Sequence, residues 1–147
     1  AAAHPQRVAQ LKAAYDRWFD DVTAGRDYRV PPRIHLGAPQ ENPVLLTRQD
    51  WRGDGANWGP TGIGYWEVKV VTAAPYDVKL RFDPLPSDGE ATLSCGGAKA
   101  SQAVKAGQEE CVFGNVQLAL GPARLEAQIA QGPTARGAKY VEVTRLP

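Results

Sequence analysis

Residues 51–70 read WRGDGANWGPTGIGYWEVKV and hold three of the chain's four tryptophans, Trp51, Trp58 and Trp66. The last residues alternate: Trp66, Val68 and Val70 fall on one face, Tyr65, Glu67 and Lys69 on the other. A period of two is that of a strand with one buried face, so Trp66 belongs to a core. Residues 51–64 have no period and contain five glycines, which makes them a loop.

The same alternation recurs on both sides of this stretch. Upstream, 44–48 is short and strand-like. Downstream, 76–82 turns Tyr76, Val78, Leu80 and Phe82 inward, and Ala91, Leu93 and Cys95 share a face before Gly96-Gly97. Cys111 and Phe113 share another face, and a bulge or turn at Gly114-Asn115 precedes Val116, Leu118 and Leu120. Leu125, Ala127 and Ile129 form the next strand, and Val141 and Val143 the inner face of the last. Seven or eight short strands with turn signals between them, and no helical pattern interposed, predict a mainly β fold. The expected architecture is an antiparallel β-sandwich of jelly-roll type over 44–147.

The N-terminal segment, 1–25, reads as a helix. Val8, Leu11, Tyr15, Trp18, Phe19 and Val22 recur at helical spacing, with Pro5 suited to the first turn and Gly25 to the stop. An aromatic stripe of this kind calls for a docking surface. Residues 26–43 carry Pro31, Pro32, Pro39 and Pro43 with Gly37 and Asn42, and read as an extended connector. The chain opens Ala-Ala-Ala-His-Pro without a starting Met, as a processed or excised piece would.

Seventeen basic and sixteen acidic side chains give a net charge of +1, so there is no electrostatic case for nucleic acid or an anionic membrane. No apolar run is long enough to span a bilayer, and no signal peptide is visible. Neither Cys95 nor Cys111 belongs to a Cys-x-x-Cys pair, and His4 and His35 are distant from both, which argues against zinc. The two cysteines form either one disulfide, implying export, or two separate buried thiols.

No nucleophile–base pair or metal signature appears, so no catalytic residue is expected in this chain. Gly53-x-Gly55 and Gly62-x-Gly64 lack the third glycine and following helix of a dinucleotide loop. Asp16, Asp20 and Asp21 read as a solvated helix face. Asp50, Asp54 and Asp88 are loop acids of the type that ligates calcium, but without the spacing of a known calcium loop.

The aromatic loop is the strongest functional signal. Stacking a sugar ring on Trp or Tyr needs an exposed flat face, a rigid mount and polar neighbours for the hydroxyls. Trp51, Trp58 and Tyr65, with Arg52, Asp54 and Asn57, are of the right types. The competing reading has Trp51 and Trp58 closing the open end of the sandwich or packing on the helix.

The stretch HPQRVAQLKAAYDRWFDDV, 4–22, resembles the closing helix of arylsulfatase-type sulfatases. PRIHLG and NPVLLTRQDW, within 32–51, are similar to the C-terminal extension of some bacterial members. GYWEV, YDVKLRF and KYVEVTR resemble strands of the galactose-binding-like jelly rolls common in carbohydrate-active enzymes. The resemblance implies a non-catalytic accessory domain of a periplasmic or secreted sulfuric ester hydrolase. Its partners would be the parent's catalytic domain and a polysaccharide or sulfated glycan. The sulfatase signature [CS]-x-P-x-R is missing at both Cys95 and Cys111, so none of that family's catalytic positions carries over. The alternatives are an independent carbohydrate-binding module, with the site named above, and a structural protein-interaction domain.

Overall fold

Trp66 sits at the centre of the fold, fully buried on a strand whose alternate residues Val68 and Val70 are buried with it. The computed structural model describes residues 3–25, 27 and 30–147. Ala1 and Ala2 of the chain opening, and Arg26, Tyr28 and Arg29 around the start of the expected connector, lie outside the described residues. The chain divides into two compact units, Ala1–Pro32 and Arg33–Pro147.

In the first unit, helix α1 (Pro5–Thr23) carries Pro5 in its first turn, where its missing N–H costs nothing. None of the helix residues is buried. Tyr15 stacks with Phe19 at 5.9 Å and leans on Trp18 at 5.7 Å, so the aromatic stripe packs along its own helix.

The second unit is a two-sheet sandwich, as the alternation predicts. Its strands are β1 (Ile34–Leu36), β2 (Val44–Thr47), β3 (Tyr65–Val70), β4 (Ala74–Arg81) and β5 (Gly89–Cys95). They continue with β6 (Ala98–Val104), β7 (Glu110–Leu118), β8 (Gly121–Gln131), β9 (Thr134–Gly137) and β10 (Tyr140–Arg145). One sheet runs β1-β3-β8-β5-β6, with β9 also paired to β8; the other runs β2-β10-β4-β7. All pairs are antiparallel except β1 with β3. The inner faces meet in a single core containing Tyr76, Val78, Leu80, Leu93, Leu125, Ile129, Val141 and Val143.

Two core rings donate through their polar ends to backbone carbonyls, and the Trp66 bond joins the two sheets. The Trp66 indole donates to the Thr47 carbonyl at 2.6 Å, and the Tyr76 hydroxyl donates to the Thr72 carbonyl at 2.7 Å. Each bond satisfies a buried donor, and an unpaired N–H or O–H in the core costs about 1–3 kcal/mol. Gly37 makes room for the Tyr76 hydroxyl: a Cβ there would lie 2.1 Å from it.

The bulge expected at Gly114-Asn115 is present. Asp77 alone opposes both residues, since Tyr76 pairs with Val116 and Val78 with Phe113. Asn115 takes φ +58°, a left-handed position that Asn tolerates better than most residues, and its backbone N–H donates across the bulge to Asp77 Oδ1 at 3.0 Å.

Two expectations change, and of the two alternatives for the cysteines one is observed. Strand β1 lies within the stretch read as a connector; its three residues are too few to show a period. Leu120 follows the end of β7 and is exposed rather than part of the core. Cys95 and Cys111 are two buried free thiols, not a disulfide. They stand on different sheets, Cys95 on β5 and Cys111 on β7. Burial pushes the Cys95 thiol up to about 11 and raises that of Cys111, which makes both poor nucleophiles.

Candidate functional site

The loop 51–64 crosses one end of the sandwich, where β2 ends, β3 and β10 begin and β9 meets β8. It begins and ends in contact with itself, through a bridge between Arg52 and Tyr65. The structure gives its two rings, Trp51 and Trp58, and the adjoining Tyr65 of β3 different roles.

Trp51 is only 6% exposed and packs on Trp66 at 5.7 Å. Its ring lies between two glycine backbones: a Cβ on Gly64 would fall 2.7 Å from its Cγ, and one on Gly137 2.6 Å from its Cζ2. The Arg48 guanidinium covers the ring at 4.8 Å from its centroid. Trp51 therefore closes the end of the core, and the expectation that it stacks a ligand is corrected: it has no free face.

Tyr65 is half-buried and is also covered. The Arg124 guanidinium sits 4.3 Å over its ring, and a Cβ on Gly53 would lie 3.1 Å from its Cε1. Its expected place in a sugar site is not supported. Arg124 in turn donates to Glu67 at 3.2 Å, and Glu67 pairs with Arg33. This ladder fastens the start of the sandwich unit to β3 and β8, since Arg33 also donates to the Ala123 carbonyl at 3.2 Å.

Trp58 is the ring that remains available, 74% exposed at the loop tip. Its mount is rigid. The neighbouring Asn57 donates to the Gly55 carbonyl at 2.9 Å and accepts from the Gly59 N–H at 2.8 Å, a local turn of the kind Asn favours. Arg48 clamps the far side, donating to the carbonyls of Gly59 at 3.3 Å and Gly137 at 3.1 Å. Asn57 thus shapes the loop with both ends of its amide. Arg52 donates to the Trp51 carbonyl at 3.1 Å, and Asp54 is exposed on the loop.

Trp58 borders a cleft of about 410 Å³ with Thr47, Arg48, Gln49, Lys139 and Tyr140. Tyr140, the first residue of β10, pairs with Thr47 of β2 and Arg81 of β4, and its side chain is 45% exposed. Its outward direction follows from the alternation with Val141. Its nearness to Trp58 depends on the register between β2 and β10, which leaves no sequence signal. Lys139 donates to Asp83 at 2.5 Å, and this bond holds the Asp83 carboxyl below its ordinary range. Arg136 donates to the Asp83 carbonyl at 3.1 Å. Partial burial lowers the Arg48 guanidinium from its ordinary value, against the pull of Asp83.

A second, shallower groove of about 550 Å³ runs over β5, β6 and β8, lined by Thr92, Ser94, Lys99, Ser101, Glu126 and Gln128. It has no aromatic platform. Among the described residues, no group of three or more His, Cys, Asp or Glu is placed to hold a metal ion. Asp88 of the expected calcium candidates pairs with Lys105 at 2.8 Å. No described helix is long and apolar enough to cross a membrane.

No protein-family model matches the chain, and no curated protein matches it. Solved structures do. The CBM36-1 domain of a multidomain xylanase from the hindgut metagenome of Trinervitermes trinervoides aligns with a TM-score of 0.56 at 13% identity. The match covers 72% of this chain and 99% of that one. The Podospora anserina GH26-CBM35 β-(1,4)-mannanase aligns at 0.50 and 15% identity, over 72% of this chain and 28% of its own. A ruminal GH26 endo-β-1,4-mannanase aligns at 0.51 and 15%, over 71% and 26%. This chain thus matches about a quarter of each mannanase and nearly all of the xylanase domain. At these identities the likeness is one of fold.

Proposed function

We propose that the sandwich is a carbohydrate-binding module that presents Trp58 and Tyr140 to a polysaccharide. The observation that carries the reading is the exposed Trp58 ring, held by Asn57 and Arg48 beside Tyr140 in a polar cleft. A large exposed aromatic on a braced loop, with a second ring beside it, leaves an apolar face for a ligand to cover. A sugar ring does so while its hydroxyls take up Thr47, Gln49 and Lys139. The fold likeness to a domain named as a carbohydrate-binding module supports the reading. A polysaccharide ligand would place the module in the periplasm or outside the cell.

This makes the independent binding module the preferred reading over a sulfatase tail. The sulfatase catalytic domain implied by the sequence resemblance has no support among the comparisons, and sugar binding at Trp58 does not require it. The test is affinity gel electrophoresis of the chain against a panel of soluble polysaccharides. Trp58→Ala and Tyr140→Ala should each weaken retardation, by about fivefold if one stacked ring contributes about 1 kcal/mol. Retention of full binding by both variants would remove the cleft from consideration.

A further inference from the structure

The cleft has a sign. Two cations, Arg48 and Lys139, line it together with the two aromatic rings, and no carboxylate does. Arg48 makes no ion pair among the described residues; its donors go to the neutral carbonyls of Gly59 and Gly137, so its charge is fixed in place and only partly offset, by the field of Asp83. Arg136 stands behind it on the same carboxylate-bearing residue, Asp83, that pairs with Lys139. The Lys139–Asp83 pair is exposed at both ends, and such pairs are worth about 1 kcal/mol or less. Lys139 can therefore turn to an incoming anion at little cost. Of the other nearby carboxylates, Glu142 pairs with Arg81 at 3.5 Å, while Asp50 accepts from the neutral Thr47 hydroxyl at 3.4 Å and keeps its charge. Arg48, Lys139 and Arg136 thus stand against Asp83 and Asp50, and the balance around the cleft stays positive.

We infer that the ligand of this cleft is an acidic polysaccharide, whose sugar ring stacks on Trp58 while its anionic group meets Lys139 and the fixed charge of Arg48. The inference rests on the carbohydrate-binding reading above and adds the substrate class. A carboxylate of a uronic acid and a sulfate ester are the two sources of such an anion. Both are acceptors that a lysine ammonium satisfies as a point charge.

The experiment titrates the full chain with polygalacturonate, its methyl-esterified form, a sulfated galactan and a neutral galactan, at low and high salt. The expected result is binding to one or both acidic polymers about fivefold tighter than to the neutral and esterified ones. That preference should shrink in high salt and on Lys139→Gln, while Trp58→Ala weakens acidic and neutral binding alike. The uronate and sulfate arms tell which anion is read. Equal binding of acidic and neutral polymers, still lost on Trp58→Ala, would overturn the inference and leave the binding reading standing. An acidic preference untouched by both salt and Lys139→Gln would also overturn it. Binding of none of the polymers would overturn both.

Discussion

The Trp66 indole N–H donates to the Thr47 carbonyl at 2.6 Å, from the six-stranded sheet to the edge of the four-stranded one. Thr47 is also the first residue of the cleft wall that continues through Arg48 and Gln49. A core ring therefore sets the position of one side of the candidate site. Trp66→Phe keeps most of the apolar volume but orphans that carbonyl. We expect a loss of about 1–3 kcal/mol in stability, read by thermal or denaturant unfolding, together with weaker polysaccharide binding. Unchanged unfolding would mean that the cross-sheet bond contributes nothing.

Trp51 and Trp58 should respond in opposite ways to the same substitution. Trp51→Ala removes a buried ring from the end of the core and should cost about 3–5 kcal/mol. Trp58→Ala removes an exposed ring and should change stability by no more than about 0.5 kcal/mol. Paired unfolding curves and binding isotherms separate the closing ring from the presenting one.

Gly64 and Gly137 are required by the Trp51 ring, not by their backbone conformation, since neither has a positive φ. An alanine at either position would bring its Cβ within 2.7 Å of ring carbons, and overpacking of this kind costs about 1–3 kcal/mol. Gly97→Ala, where a Cβ meets nothing within 4 Å, is the control and should leave the midpoint nearly unmoved.

Asn115 at φ +58° predicts a third pattern. Asn115→Ala should destabilise by about 1 kcal/mol, because an alanine pays for the left-handed conformation. Asn115→Gly should be close to neutral, since the bond to Asp77 comes from the backbone N–H. Equal costs for the two variants would remove backbone conformation as the cause.

The buried thiols predict a dependence on alkaline pH. Burial raises the Cys95 thiol from its ordinary value near 9 to about 11, so the folded state holds its proton where the unfolded state releases it. The stability from this group is fully present below about pH 9 and is lost as pH rises toward 11. Cys95→Ala should flatten that part of the stability–pH curve relative to the parent. A thiol reagent at neutral pH should react with neither Cys95 nor Cys111 until the protein unfolds.

The sandwich was legible because its inner strands carry large apolar residues at a period of two: Trp66, Val68 and Val70, then Tyr76 to Phe82, then Leu125 to Ile129. Strands β6 and β9 were not. Between them, β6 (AKASQAV) and β9 (TARG) bury only Val104 among large apolar side chains, with alanines and polar residues elsewhere. Their place comes from backbone pairing to β5 and β8, which any sequence free of proline can supply.

The candidate site divides in the same way. Alternation placed Trp66 in the core and turned Tyr140 away from it, and the glycine-rich stretch between the strands marked Trp58 as a loop residue. Which of Trp51 and Trp58 would be covered was not determined by the sequence, because both stand in the same loop with the same neighbours in composition. The tertiary structure decided it. Gly137, 86 positions beyond Trp51, comes up against the ring and closes one face with backbone. The register of β10 on β2 brings Tyr140 and Lys139 to Thr47 and the cleft beside Trp58. Local periodicity reports which face of a strand meets the core; only long-range pairing fixes which side chains from distant segments share a surface.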